Sequence, residues 1–490
     1  MPNSVDFSGK PFHFIGIGGI GMSALAYILA ERKLPVSGSD VRSSHITQRL
    51  EAVGAHIFNS QEASNLEFFR SKKDTSERTS AEIGRKTNTP LLSTVDIHTL
   101  PQVICSTAIN QANLEYKAAI DLGCAVFHRS ELLAALIADY SSIAVAGTHG
   151  KTTTSSAIAY MLLQAGLDPT IVVGGEVNAW EGNARLGKSK YLVAEADESD
   201  GSLVKLSAEI GIITNIELDH PDHYHSLEQV IETFQTFAGR CQTLIGCIDC
   251  ATVRDRLQPK ISYSLHPETN ADYTVSDIEY RADGTTATVW ERGKALGKLN
   301  LRLLGEHNLS NAIASVAVGR LLNLDFATIA SSIANFEGAR RRFELRGEAN
   351  GIIFIDDYAH HPSEIRATLA SARLQAQPGA RVVAIFQPHR YSRTLTFLSE
   401  FAAAFRDADL VVITDIYSAG EPNLGQVSSQ QLVLLIGKRH SQVTYQPTLN
   451  AVSQFLCQNL NPQDIALFLG AGNLNQIIPE TIAAIRQNPD

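Results

Sequence analysis

Short apolar runs recur along the whole chain, each ending in glycine or polar residues and followed by a stretch with helical spacing. Runs of this kind are read as buried strands, and their alternation with helices predicts an α/β protein with largely parallel sheets. In the first segment Phe12 to Ile17 predicts a strand, with a helix to Arg32 and a second strand near Pro35 to Ser39. Val103 to Thr107, the helical Asn113 to Leu122, the strand Ala125 to His128 and a helix from Ser130 to about Ala138 continue the pattern. Further on, Ile143 opens an apolar run, and Thr170 to Gly175, Tyr191 to Glu195 and the run from Ile210 follow it. Ile352 to Asp356, Val382 to Phe386, Leu410 to Thr414 and Ile465 to Leu469 are the buried strands of the last third. The breaks predict three domains, 1–139, 140–343 and 344–490. Between about 60 and 100 the pattern fails, and Ser71 to Ser80 is polar and charged, which predicts a surface insertion.

Composition narrows the class. The chain has 490 residues, 44% hydrophobic and 19% charged, with a formal net charge of −10. That balance argues against broad nucleic-acid or membrane-surface binding but leaves room for a local anion pocket. No apolar run approaches the roughly 20 residues that span a bilayer, and the first ten residues lack a secretory apolar core. Six cysteines without framework spacing predict a reducing, cytoplasmic setting. Cys241, Cys247 and Cys250 lie close in sequence; a zinc site there needs a fourth ligand, so they are read as plain thiols.

Chemistry collects at the ends of the predicted strands. After the run from Ile143 comes Gly147-Thr148-His149-Gly150-Lys151-Thr152-Thr153-Thr154. This is a shortened phosphate loop, since Val145 stands where the first glycine of the longer pattern belongs. Backbone N–H groups and a helix N-terminus would hold an anion, Lys151 would reach the β- and γ-phosphates, and the Thr152 hydroxyl would sit on Mg²⁺. Near the N-terminus Gly16-Ile17-Gly18-Gly19-Ile20-Gly21, with Asp40 about 20 residues on, meets the dinucleotide pattern. The same turn suits any ribose-linked diphosphate, so NAD and a UDP-sugar both fit. Glu195 ends one strand, with Asp197, Glu198 and Asp200 behind it. Asn215, Asp219, His220, Asp222, His223 and His225 follow another, and a carboxylate with one imidazole beside the phosphate loop predicts a two-magnesium site, with His223 and His225 at the surface or on substrate. Asn308 and Asn311 share a helical face and suit an adenine edge. Arg340-Arg341-Arg342 is a basic patch for phosphate, and Arg390 with Arg393 suits a carboxylate clamp.

Taken in order, these motifs resemble the Mur ligase family. The matching stretches are Gly16 to Met22, Gly147 to Thr154, Glu195 to Asp200, Asn215 to His220, Gly305 to Asn311, Arg341 to Phe343, Asp357 to Pro362 and His389 to Thr394. The resemblance covers nearly the whole chain apart from the region between about 60 and 100. It implies a Rossmann-like N-terminal UDP-binding domain, a central P-loop ATPase-type α/β domain and a C-terminal doubly wound α/β domain. It also implies an ATP-dependent ligase of peptidoglycan precursor synthesis that joins L-alanine to UDP-N-acetylmuramate through an acyl phosphate. The small molecules are UDP-N-acetylmuramate, L-alanine and ATP, with Mg²⁺ as cofactor, no nucleic-acid or membrane partner, and a monomer or weak homodimer.

Residue by residue, the resemblance gives Gly16, Gly18, Gly19, Gly21, Asp40, Ser106 and Thr107 to the UDP-sugar. It gives Gly147, Thr148, His149, Gly150, Lys151, Thr152, Thr153, Asn308, Asn311, Arg342 and Asp357 to ATP, and Thr152, Glu195 and His220 to magnesium. Lys151, His220 and Arg342 are the catalytic candidates, and Tyr358, His360, Arg390 and Arg393 would take the amino acid. Two departures are informative. Gln235 stands near the place where several relatives carry a carbamylated lysine, a lack shared by the alanine-adding branch, and Ser60 stands where a histidine is frequent. The nearest rival is the recycling ligase that joins a peptide to UDP-N-acetylmuramate. A dehydrogenase explains only residues 12 to 40, and a UDP-sugar sensor leaves the metal-site residues idle.

Overall fold

The computed structural model describes residues 4–69 and 100–487. Most of the insertion expected between 60 and 100 therefore lies outside the described residues. The strands form three sheets in chain order. The first holds β1 (Phe12–Ile15), β2 (Val36–Ser39), β3 (His56–Phe58), β4 (Gln102–Cys105) and β5 (Val126–His128), all parallel, in the order β3-β2-β1-β4-β5. The order reverses beside β1, and a ligand crevice opens at such a switch point. β1 stops at Ile15, two residues short of the apolar run, because Gly16 and Ile17 turn to donate their N–H groups to Ser39 O.

The second sheet has ten strands: β6 (Ser141–Ala146), β7 (Thr170–Val177), β8 (Gly182–Arg185), β9 (Tyr191–Glu195), β10 (Ile210–Ile213), β11 (Thr243–Cys247), β12 (Ile261–Tyr263), β13 (Tyr273–Arg281), β14 (Gly284–Glu291) and β15 (Lys294–Leu301). Their order is β15-β14-β13-β12-β11-β10-β6-β9-β7-β8. β6 lies between β9 and β10, parallel to both, so three chemistry-bearing strand ends sit side by side. The antiparallel meander β13-β14-β15 is absent from the sequence reading. Its signals are the Asp283-Gly284 and Arg292-Gly293 turns between β-rich runs.

The third sheet holds β16 (Glu344–Ala349), β17 (Ile352–Asp357), β18 (Val382–Phe386), β19 (Leu410–Ile413), β20 (Val443–Tyr445) and β21 (Ile465–Leu469). It runs β16-β17-β21-β18-β19-β20, with only β16 antiparallel to its neighbour. β18 and β21 are buried at every position, as strands covered on both faces must be. In the middle sheet the helix Lys151–Gln164 packs beside the helix Glu306–Leu321, with Ala157, Ile158, Met161, Ile313, Ala314 and Ala317 in one core. Their many small side chains allow close approach, which brings Asn311 beside the phosphate loop.

Candidate active site

The loop after β6 is built on two glycines that no other residue replaces. Gly147 has φ +139, and a Cβ there would lie 1.9 Å from Thr214 Oγ1. Gly150 has φ +83, and a Cβ would meet Asn311 Oδ1 at 2.7 Å. The segment after β10 pins the loop: Thr148 N donates to Asn215 O at 3.0 Å, and His149 N donates to Asn215 Oδ1 at 2.8 Å. The helix Lys151–Gln164 starts directly after Gly150, which puts its positive dipole end at the loop. Lys151 Nζ donates to Gly147 O at 2.7 Å and to both Glu198 oxygens at 2.9 and 2.8 Å. Burial opposes the charge on Lys151, yet Glu198 and Asp197 raise it above the usual lysine range.

Acids delivered by the end of β9 surround this lysine. Glu195 Oε1 accepts from Thr152 Oγ1 at 3.0 Å, and its Oε2 accepts from Gly174 N at 2.6 Å. Burial raises Glu195, with Lys151 and Arg342 opposing. A hydroxyl and a desolvated carboxylate this close suit a hard cation, so Thr152 and Glu195 fit magnesium. His220, at φ +53 after β10, has Nε2 3.6 Å from Asp219 Oδ2 and 4.0 Å from Glu198 Oε1. Burial lowers its pKa, which leaves a neutral imidazole able to act as a ligand. Arg129 reaches in from the N-terminal side, donating to Asp197 at 3.1 Å and Asp200 at 3.2 Å.

The third sheet closes the opposite wall. The three consecutive arginines do not act as one patch. Arg340 pairs with Glu176 at 3.1 Å and Arg341 with Asp356 at 3.3 Å. Only Arg342 turns to the loop, with Nη2 3.5 Å from Thr152 Oγ1. Asp357 is buried at the end of β17, where its carboxylate accepts from Phe343 N and Ala359 N, both at 2.7 Å. Burial, opposed by Arg342, pushes it up to about 6. His360 Nδ1–H donates to Tyr358 O at 2.9 Å, which leaves Nε2 as the lone-pair nitrogen. Burial pushes its pKa down to about 4. The two clamp arginines are already engaged. Arg393 is only 2% exposed and donates to Asp219 Oδ1 at 2.8 Å; Arg390 donates to Asp222 Oδ2 at 2.8 Å.

At the N-terminal glycine turn, Asp40 is occupied by the turn itself. Its Oδ2 accepts from Gly18 N at 2.9 Å and its Oδ1 from Arg42 N at 3.0 Å. Asn308 and Asn311 are also committed locally: Asn308 Nδ2 donates to Leu304 O at 2.8 Å, and Asn311 Oδ1 accepts from Thr154 Oγ1 at 3.0 Å.

One cleft of about 1180 Å³ joins these parts. Gly19, Gly21, Ser106 and Thr107 line it from the first sheet. Thr148, His149, Gly150, Lys151, Thr152, Glu195 and His220 line it from the second. Arg342, Tyr358, His360, Arg390 and Arg393 come from the third. Gly16, Gly18, Asp40, Gly147, Thr153, Asn308, Asn311 and Asp357 are not among its lining residues. Thr153 is buried in the first turn of the loop helix, and the others shape the loops behind the wall through their hydrogen bonds and backbone angles. Sequence reasoning missed Arg129, Glu217, His361 and Glu364. Glu217 and His361 stand inside motifs that were read and Arg129 and Glu364 outside them, but their partners lie 68 to 215 residues away, so no local spacing marks the pairing. The six cysteines are free thiols, and Cys241, Cys247 and Cys250 form no metal-binding group among the described residues.

Known proteins match this arrangement along its length. The Mur ligase family catalytic domain matches residues 11–141, the Mur ligase middle domain 145–319, and the Mur ligase glutamate ligase domain 341–472. The UDP-N-acetylmuramate–L-alanine ligase of Nostoc punctiforme is 74% identical over 485 residues, covering 99% of this chain and 98% of the relative. That of Trichormus variabilis is 70% identical over 493 residues, with the same coverage. Among solved structures, the UDP-N-acetylmuramate–alanine ligase of Thermotoga maritima has a TM-score of 0.78 at 25% identity, over 98% of this chain and 99% of that one. The murein peptide ligase of Psychrobacter arcticus shares the fold, with a TM-score of 0.68 at 22% identity over 98% and 99% of the two chains. By sequence and by architecture, this chain belongs to the Mur ligase family.

Proposed function

We infer that this protein joins L-alanine to the carboxylate of UDP-N-acetylmuramate, using ATP and releasing ADP and phosphate. A free carboxylate is a poor acyl donor because an oxide would have to leave. Transfer of the γ-phosphoryl group makes an acyl phosphate; the alanine amine attacks the carbonyl carbon and phosphate departs from the tetrahedral intermediate. The observation that carries this reading is the shared cleft, in which a diphosphate-type glycine turn and a phosphate loop face one another across about 1180 Å³. The alanine-adding relatives at 74% and 70% identity support L-alanine over a peptide as the incoming amine.

In this reading the chain divides at 1–139, 140–343 and 344–490, with UDP-sugar, ATP and the amino acid held largely by the three parts in turn. Gly16 to Gly21, Ser106 and Thr107 take the UDP-sugar, with Asp40 shaping the turn. Lys151 leaves Glu198 to hold the β- and γ-phosphates, and Arg342 neutralises the charge that gathers as the phosphoryl group moves. Thr152 and Glu195 hold the first magnesium and His220 the second; magnesium, when bound, supplies charge neutralisation at the phosphates. Asn308 and Asn311 set the adenine side through the loop, and Asp357 fixes the 343–359 turn behind it. Tyr358 and His360, with Arg390 and Arg393 released in part from Asp222 and Asp219, receive alanine. The free thiols fit a cytoplasmic enzyme, and a monomer or weak homodimer suffices because one chain lines the whole cleft.

Phosphate release by the purified protein tests the activity. It should require UDP-N-acetylmuramate, L-alanine and Mg·ATP together. Release that needs a tripeptide in place of alanine, or that proceeds without the sugar nucleotide, overturns the reading.

A further inference from the structure

Beside the phosphate loop, apart from the Thr152–Glu195 pair, lies a group of which only His149 has a place in the ATP reading. His149 from the loop, Glu217 from the segment after β10 and His361 from the cap of the helix Pro362–Gln375 meet there. One ligand atom from each lies within 4.8 Å of the other two. His149 Nε2 is 3.5 Å from Glu217 Oε2, and His361 Nδ1 is 3.8 Å from the same oxygen. Ligand atoms around a tetrahedral ion with bonds near 2.0–2.1 Å stand about 3.3 Å apart. Small side-chain shifts therefore bring the three into bonding range.

The surroundings are those of a ligand set. His149 Nδ1 faces Glu364 Oε1 at 3.3 Å, which orients the ring and turns Nε2 toward Glu217. That Nε2 is buried and makes no hydrogen bond. His361 Nδ1 is unprotonated and accepts a long N–H contact from Ser363 at 3.3 Å, a weak helix cap that a metal on Nδ1 would displace, and the residue is only 4% exposed. Ser363 Oγ donates to Glu217 Oε2 at 2.7 Å and holds the carboxylate in place. A histidine whose second nitrogen is fixed by a carboxylate, beside a hydrogen-bonded carboxylate ligand, is the outer-shell pattern of transition-metal sites. Two imidazoles with one carboxylate favour a zinc-class ion over magnesium.

We propose that His149, Glu217 and His361 form a second metal site, for Zn²⁺ or a similar divalent transition ion, that clasps the C-terminal part of the chain onto the phosphate loop. Without metal, a proton on His149 fills the same electrostatic role. Burial opposes that proton, but Glu217 and Glu364 push the pKa up to about 10. His361, Asp219, His360 and Arg342 are the other charged or titratable groups that face this cluster. Metal binding therefore displaces a proton and weakens as pH falls.

The test uses full-length protein stripped of metal by chelation, without nucleotide or Mg²⁺. The tightest site that Zn²⁺ fills in a calorimetric titration should be this one, and the thermal midpoint should rise with Zn²⁺ concentration. His361→Ala and Glu217→Gln should each weaken binding at least a hundredfold, and Ser363→Ala about tenfold. His220→Ala and Cys247→Ser should leave the affinity within threefold. Co²⁺ should give a visible spectrum without a thiolate charge-transfer band. Saturable binding that survives both His361→Ala and Glu217→Gln, its loss in His220→Ala, a thiolate band, or no saturable site overturns the proposal. Matching circular dichroism of wild type and variants excludes misfolding as the cause of lost binding.

Discussion

The two ends of the cleft are made in different ways. At the glycine turn after β1, recognition rests on backbone, and the supporting side chain, Asp40, lies only 22 residues from Gly18. At the lysine loop the backbone is equally tight, but charged side chains from far along the chain are stacked against it. Lys151 meets Glu198, Arg393 meets Asp219 across 174 residues, and His149 meets Glu364 across 215. The difference teaches that the first site is a local structure placed on a sheet, whereas the second exists only when two sheets have come together. A diphosphate needs N–H donors, which a turn supplies by itself. Phosphoryl transfer needs concentrated opposing charge, and charge of that density persists in a buried place only when partners arrive from elsewhere.

Four changes should separate the two ends, and the first is the most severe. Lys151→Ala removes the only cation among the described residues that contacts both the loop carbonyls and Glu198, and should lower the rate of phosphate release about a thousandfold or more. UDP-N-acetylmuramate affinity, read by calorimetry, should change by less than about threefold; loss of both would mean that the ends are not independent. Arg393→Ala leaves Asp219 charged and buried, and should destabilise the protein by about 3–5 kcal/mol in urea unfolding. A cost below about 1 kcal/mol would show that the two sheets do not depend on this pair.

Asp40→Ala should act in the opposite sense at the other end. Without its bonds to Gly18 N and Arg42 N, the turn loosens, and UDP-sugar binding should weaken about tenfold, equivalent to roughly 1.4 kcal/mol. Binding of Mg·ATP should stay unchanged in the same calorimeter. An equal loss for both ligands would remove the distinction drawn here. A pH effect on the metal-free protein probes the lysine-loop end without any substitution. The His149 pKa in the folded chain, about 10, lies above its ordinary 6.5. Its contribution to stability is therefore complete below pH 6.5 and is lost as pH rises through 10. Thermal unfolding at pH 7 and pH 10 should show a lower midpoint at the higher pH, and the difference should shrink in Glu364→Gln.

Much of this was legible in the residues. The apolar runs predicted the strands from Tyr191, Val382 and Ile465 with the ends they have, because a strand buried on both faces needs continuous hydrophobicity. Gly147 and Gly150 were legible for a similar reason: a backbone that must take positive φ beside another chain segment favours glycine. The meander β13 to β15 was missed although its turns carried the signal, since its alternating polar and apolar positions lack the continuous apolar run that marked the other strands. The carboxylate partners of Arg390 and Arg393 were also missed. An arginine fork looks free in a sequence, and the expected clamp is instead already closed on Asp222 and Asp219.

By itself the sequence determined the local pieces: strand, glycine turn and helix start, each encoded within about 20 residues by periodicity and by the steric needs of the backbone. Tertiary structure alone decided which charges face one another. Glu195, Asn215 and His220 gather at the lysine loop because β9 and β10 flank β6. His361 and Glu364 reach the same loop because a helix from the third sheet starts there. Coulomb energy depends on distance in space, and a chain folded over hundreds of residues sets that distance in a way no stretch of its sequence records.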